Sequence, residues 1–369
     1  MISLVGLELR KAYQSRLLHK MTAIFLVMFL SLFGYYAVKD ASYADRLLQD
    51  YSTMGSEYKR IADDVRSDLT AMDSDDLEYA QMRATLEYSE RVQQYYSSQI
   101  SKISSNGLAG DMNAIDERLI HLSDVVAGME AGLDQSQQKI TDVTEEITVL
   151  SYHRSQQIDL YSSPYTPNTL HFASQILSSE VIAICMLVTC LFVRKSIMDD
   201  YENRAFTLYL TTPHSKTSIY IAKTIAGLLV ATLAIVSALL TTLILSFVLY
   251  GFGVPLYPVD ASLMTDGIKI LNGTILVAVQ LGANVLFAVI VATWVLRGES
   301  SVAVIVLMYL LILMSGFLNH PSLEWIPLFN NHVTQERVQV SSMVSLTLMF
   351  VMWTATSKYY KSMRWEERL

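Results

Sequence analysis

Charged residues are scarce in this chain: 17% of 369 positions, against 52% hydrophobic ones, with a mean hydropathy of +0.32. Ordinary soluble domains carry about 25% charge, so the deficit argues against a soluble enzyme. Cysteine is nearly missing as well. Cys185 and Cys190 share one apolar stretch, too close along a helix to bridge, which excludes a disulfide framework and matches no metal site. There is no Gly-x-x-x-x-Gly-Lys-Ser/Thr loop, so the chain lacks the amide cradle and lysine that hold ATP phosphates. No serine–histidine, paired-carboxylate or metal constellation converges at one expected depth, which leaves a membrane enzyme a distant third reading.

What is present is long stretches without charge. Residues 21–38, 224–259, 270–296, 300–323 and 338–357 contain no Asp, Glu, Lys or Arg, and each has room for a membrane-spanning helix. A sixth window, 160–193, holds only Glu180, and its apolar part is 172–193. The expected fold is an all-α membrane protein of six transmembrane helices: 21–38, 172–193 and four more in 224–356.

The net charge of −8 is unevenly divided. Residues 40–171 hold 23 acidic and 10 basic side chains, a balance of −13, which leaves +5 for the rest. Two chemistries follow, a membrane bundle and a polar insert, because burial rules differ between lipid and water.

Loop charges set the orientation. Arg10, Lys11, Arg16 and Lys20 against Glu8 precede the first apolar window, which places the leader, 1–20, in the cytoplasm. The absence of a small-residue cleavage pattern after that window favours an uncleaved anchor over a signal peptide. The insert then lies outside, 194–223 inside, and the basic tail 357–369 inside. A bacterial cytoplasmic membrane with both termini cytoplasmic is the expected location.

Within the insert, Leu47, Tyr51, Met54, Tyr58, Ile61 and Val65 follow four-three spacing, and the phase continues through Met72, Tyr79, Met82, Leu86, Tyr96, Ile100 and Ile103. The acidic run 73–76 is either a break or a solvated part of the same helix. Ser104 to Asp111 carries reversal and capping residues. A second arm follows through Ile115, Leu119, Leu122, Val126, Met129, Leu133, Ser136, Ile140, Val143, Ile147 and Leu150. The expectation is a long extracytoplasmic coiled-coil hairpin over 40–171, its second arm roughly 60 Å at about 1.5 Å per residue. The ten tyrosines of the insert pack the seam, lie near headgroups or form a partner surface. His121 and His153 are isolated and read as surface or seam residues.

The segment 199–223 has an acidic start, an apolar interior and a break at Pro213. Such a segment lies along a membrane surface, either linking two spans or docking a partner. Glu202, Arg204, Phe206, Leu210, Thr212-Pro213, Lys216 and Lys223 in this order resemble the permease subunit of ABC-2 type ATP-binding-cassette transporters. The basic stretch 4–20 is similar to that family's interfacial elbow helix, and 321–330 to its partly re-entrant segment before the last span. The large insert departs from the short first external loop of many members.

The resemblance implies a translocation subunit without its own ATPase, serving a cytosolic ATP-binding-cassette ATPase dimer and pairing with a second permease copy or a related permease. No cofactor is expected on this chain, with ATP on the partner, and no nucleic acid. It also implies that 194–223 is the coupling segment, with Glu202, Arg204, Phe206 and Leu210 as contact candidates and Pro213, Lys216 and Lys223 shaping the re-entry into the next span. Export of an amphipathic substrate such as a peptide, lipid or hydrophobic drug is the first expectation. The alternative is mechanotransmission or sensing through the hairpin, with a possible extracytoplasmic partner.

Within the membrane, Glu180 is costly unless protonated, hydrogen-bonded or facing a wet cavity. It is read as a substrate or gating residue or as a polar contact between helices. Asn272 and Asn284 line a pathway or bridge helices.

Overall fold

A computed structural model describes residues 2–71, 77–106, 112–134, 136, 139–157, 163, 165–178, 181–202, 215–253, 266–294, 305–306 and 354. The helices among them are α1 (Ile2–Gln14), α2 (Leu17–Ala41), α3 (Tyr43–Ala71), α4 (Leu77–Asn106), α5 (Met112–Glu130), α6 (Ile140–Gln156), α7 (Thr169–Ser178), α8 (Val181–Glu202), α9 (Lys216–Tyr250) and α10 (Asp266–Trp294). They fall into two units, one formed by Met1–Phe33, Phe172–Phe252 and Ile268–Leu369, the other by Gly34–His171 and Gly253–Gly267.

In the first unit, apolar residues cover both the inner and the outer faces of the long helices. Met21, Phe25, Phe29 and Phe33 recur every four residues along α2 and are buried, while Val27 stays 64% exposed. On α9, Leu229, Leu233, Val236, Leu240 and Ile244 are exposed in a continuous stripe. A helix apolar all round is suited to lipid rather than to water. Ser215 caps α9, its Oγ accepting from Ser218 N at 3.2 Å, and Gly251 ends the helix with φ +78°. Its 35 residues extend roughly 52 Å, more than the ~30 Å hydrocarbon core requires, so one end lies beyond it.

The six-span expectation is corrected. Three helices among the described residues are long and apolar enough to cross a membrane: Leu17–Ala41, Thr217–Tyr250 and Ile270–Ala292. The expected second span, 172–193, is not among them; its residues 179–180 lie outside the described residues, and its described parts belong to α7 up to Ser178 and α8 from Val181. α8 is apolar only as far as Val193 and then carries Arg194, Lys195, Asp199 and Asp200, whereas a span needs about 20 apolar residues in one helix. Apart from residues 305–306 and 354, the windows 300–323 and 338–357 lie outside the described residues, as does the segment 321–330.

The second unit corrects the two-arm hairpin, because each expected arm is two helices. α3 and α4 pack along one another, α5 pairs with α6, and all four surround one core. Tyr58, Ile61 and Val65 of α3 meet Tyr88, Val92 and Tyr96 of α4, Ile115, Leu119, Leu122 and Val125 of α5, and Val143 and Leu150 of α6. Ser89, which interrupts the apolar phase, is 1% exposed and satisfies its hydroxyl on Thr85 O at 2.9 Å, so a small polar residue fills a core position.

The second arm breaks at Gly132. Its φ of +70° is a left-handed conformation that glycine adopts without a Cβ penalty, and Leu133 N returns to Gly128 O at 2.8 Å. Asp134 then holds the connection to the core. Its carboxylate accepts from Tyr58 Oη at 3.0 Å, Tyr88 Oη at 3.0 Å and Ser136 N at 2.7 Å. Burial, with Asp134 beside them, pushes both tyrosines well above their ordinary pKa, so they remain donors. A Cβ at Gly128 would stand 2.3 Å from the Tyr88 ring, so this close approach depends on glycine.

Candidate functional site

The leader helix α1 buries Leu4, Glu8 and Ala12, one residue every four along a single face. A carboxylate in that stripe needs a partner once it leaves water. α1 packs on α9, and α9 also packs on α8, so the three helices meet in the first unit.

Four charges converge there. Lys223 Nζ, with its side chain 4% exposed, donates to Glu8 Oε1 at 3.2 Å and also to Asp200 Oδ2. Lys11 Nζ donates to Asp200 Oδ1 at 2.9 Å and lies 4.0 Å from Glu8 Oε1. Each carboxylate thus faces both ammonium groups. A cavity of about 30 Å³ adjoins the network, bounded by Glu8, Met21, Ser196, Lys223 and Val230. That is the space of one or two water molecules.

The network stands at both ends of the segment 203–214. Asp200 lies two residues before the end of α8, and Lys223 lies in the second turn of α9. Glu202 is the last residue of α8, and Lys216 the first of α9. Arg204, Phe206, Leu210 and Pro213 lie outside the described residues, as does Glu180.

Of the other intramembrane candidates, Asn284 is 3% exposed and forms a contact between α10 and α8. Its Nδ2 donates to Gln280 O at 2.8 Å, and Cys190 Sγ donates to Asn284 O at 3.3 Å. Asn272 Nδ2 is buried with no hydrogen-bond partner among the described residues.

Sequence reasoning counted Glu8 and Lys11 only as charges of the leader and missed that they meet Asp200 and Lys223. The signal was Glu8 itself, in phase with Leu4 and Ala12 on the buried side of an otherwise basic leader.

A family model described as "ABC-2 family transporter protein" matches residues 2–363. No curated protein and no solved structure matches the chain.

Proposed function

Because this chain belongs to the ABC-2 family of transporter proteins, and is thus the multi-pass membrane permease subunit of an ABC-type transporter, we propose that the Glu8–Lys11–Asp200–Lys223 network transmits ATPase motion to its membrane helices. The observation that carries this reading is the placement of Asp200 and Lys223. They flank the segment 203–214, and their ion pair closes the ends of that segment against the leader helix.

In this reading a cytosolic ATP-binding-cassette ATPase dimer docks on 194–223 through Glu202, Arg204, Phe206 and Leu210, while Pro213 and Lys216 shape the return to the membrane. A push on the segment reaches α8 through Asp200, α9 through Lys223 and α1 through Glu8 and Lys11. Each ion has an opposite charge beside it, so the four groups can shift together without leaving an isolated ion in a low-dielectric site. A second permease copy or a related permease completes the pathway. Glu180, Asn272 and Asn284 are the candidate residues for substrate passage.

The proposed substrate is amphipathic, a peptide, lipid or hydrophobic drug, moved outward. The unit built on α3 to α6 stands on the extracytoplasmic side, and the leader 1–20 on the cytoplasmic side with both termini. Reconstitution of the chain with its ATPase in vesicles tests this reading, with a fluorescent peptide and a fluorescent phospholipid as probes. ATP-dependent movement of either probe that persists after residues 43–156 are replaced by a short linker favours export. Loss of movement, with ATP turnover unchanged, would favour mechanotransmission through that unit.

A further inference from the structure

The uncharged window of α2 lies between Lys20 and Lys39. Residues 21–38 rise about 27 Å at 1.5 Å each, close to the ~30 Å of a hydrocarbon core, so Lys39 stands where the headgroups begin. Backbone hydrogen bonds continue past it, Ser42 N donating to Val38 O at 3.1 Å and Arg46 N to Ser42 O at 3.2 Å. Arg46 is therefore about 10 Å further out, beyond the headgroup layer.

The chain returns to the same place at residues 165–168. Thr166 Oγ1 donates to Asp40 Oδ1 at 2.8 Å, and Asn168 N to Thr166 O at 2.9 Å. Tyr165 meets Tyr43 edge-on, with ring centroids 6.1 Å apart. The departing and returning strands of chain are thus clasped at the foot of the second unit.

Lys39 stands in that clasp. Its Nζ lies 5.5 Å from the centroid of the Tyr35 ring and 5.8 Å from that of Tyr165. Contacts of this length hold an ammonium by the ring quadrupole but do not neutralise it. Asp40, next in sequence, spends Oδ1 on Thr166, and Lys39 makes no ion pair among the described residues. The lysine is only half-buried, and Tyr35 at 53% and Val38 at 67% exposure leave an aromatic and an aliphatic surface beside it.

A fixed cation at this depth meets phospholipid phosphates, and a charge-assisted hydrogen bond to one is stronger than a neutral one. Lipids that carry their own ammonium group are already neutral, so a headgroup of net negative charge complements Lys39 best.

We propose that Lys39, braced by Tyr35 and Tyr165, binds the phosphate of an anionic phospholipid whose glycerol and upper acyl chain lie on Tyr35 and Val38. The lipid fastens both ends of the insert to the headgroup layer. The permease reading enters only in assigning that layer to the extracytoplasmic leaflet.

The test uses the full chain in phosphatidylcholine nanodiscs without ATP, doped with phosphatidylglycerol that carries a photoreactive diazirine on its headgroup. Adducts are mapped by mass spectrometry. Labelling of residues 35–43 and 165–168 is expected, suppressed by excess unlabelled phosphatidylglycerol but not by diacylglycerol or by inorganic phosphate. Lys39→Met and Tyr35→Ala should each lower it fivefold or more, with labelling of the basic leader 1–20 unchanged. Lys39→Arg should retain it, and Arg46→Gln should leave it as in the wild type. Labelling insensitive to Lys39→Met, or lost equally in Lys39→Arg, would overturn the proposal. Suppression by diacylglycerol would reduce the site to an apolar contact, and suppression by inorganic phosphate to an adventitious anion site, each of which also overturns it. With ATP absent, none of these results bears on the permease reading, and failure of ATP-driven movement leaves this one standing.

Discussion

Lys223 Nζ donates to Asp200 Oδ2 across 23 positions of the chain, and the segment between them is the one that the family resemblance assigns to the ATPase. The same ammonium reaches Glu8 of the leader helix at 3.2 Å. One cation therefore ties together the helix that enters that segment, the helix that leaves it and the leader helix α1.

Removing that cation takes an ammonium partner from both carboxylates at once. Breaking a buried ion pair by deleting one partner costs about 3–5 kcal/mol. Lys223→Met is expected to lower the thermal midpoint of the purified chain in detergent, and Asp200→Asn to do so by less, since Glu8 still faces both lysines. Differential scanning fluorimetry checks the order.

Asp134 makes a second, independent prediction in the other unit. Its carboxylate accepts from Tyr58, Tyr88 and Ser136 N. A hydrogen bond to a charged group contributes about 1.5–3 kcal/mol. Tyr58→Phe or Tyr88→Phe should therefore speed amide exchange in residues 131–139 by roughly tenfold or more, with residues 217–250 unaffected. Hydrogen-exchange mass spectrometry reads both regions in one experiment.

Much of the second unit was legible in sequence, and the reasons for the rest are local. The seam positions Tyr58, Ile61, Val65, Ile115, Leu119, Leu122, Val143 and Leu150 are core residues, as their four-three spacing indicated. That spacing does not register where a helix stops, so it continued across 131–139, although Gly132 and Asp134 end the helix and fasten the turn. The acidic run 73–76, open between break and solvated helix, lies outside the described residues. In the first unit, apolar windows placed α2, α9 and α10. The charge network was not legible, since residues 8, 11, 200 and 223 are brought together only by the packing of three helices. The second expected span is not among the three helices long and apolar enough to cross, because the helix that holds 181–193 runs on into the charged residues 194–202.

The buried His121 sets an acid limit on the second unit. Its pKa is pushed down to about 4, against about 6.5 in the unfolded chain, by burial first and Arg118 second. The unfolded state therefore binds a proton that the folded state refuses between pH 6.5 and 4. The histidine's contribution is fully present above 6.5, declines as pH falls through that window and is lost below about 4, with a maximum of about 3 kcal/mol. His121→Phe should flatten that part of the pH profile of urea unfolding and leave the profile above pH 7 unchanged.

The double variant Asp200→Asn with Lys223→Met is the most direct test of coupling, because it removes one charge of each sign and leaves Glu8 and Lys11, 4.0 Å apart, as a balanced pair. The measurement is ATP-driven movement of the fluorescent probes in vesicles holding the chain and its ATPase, set beside thermal stability. If the network transmits motion, the double variant regains stability relative to Lys223→Met while probe movement per ATP hydrolysed stays at least tenfold below wild type. Recovery of movement together with stability would contradict that account and leave the four charges a structural role only.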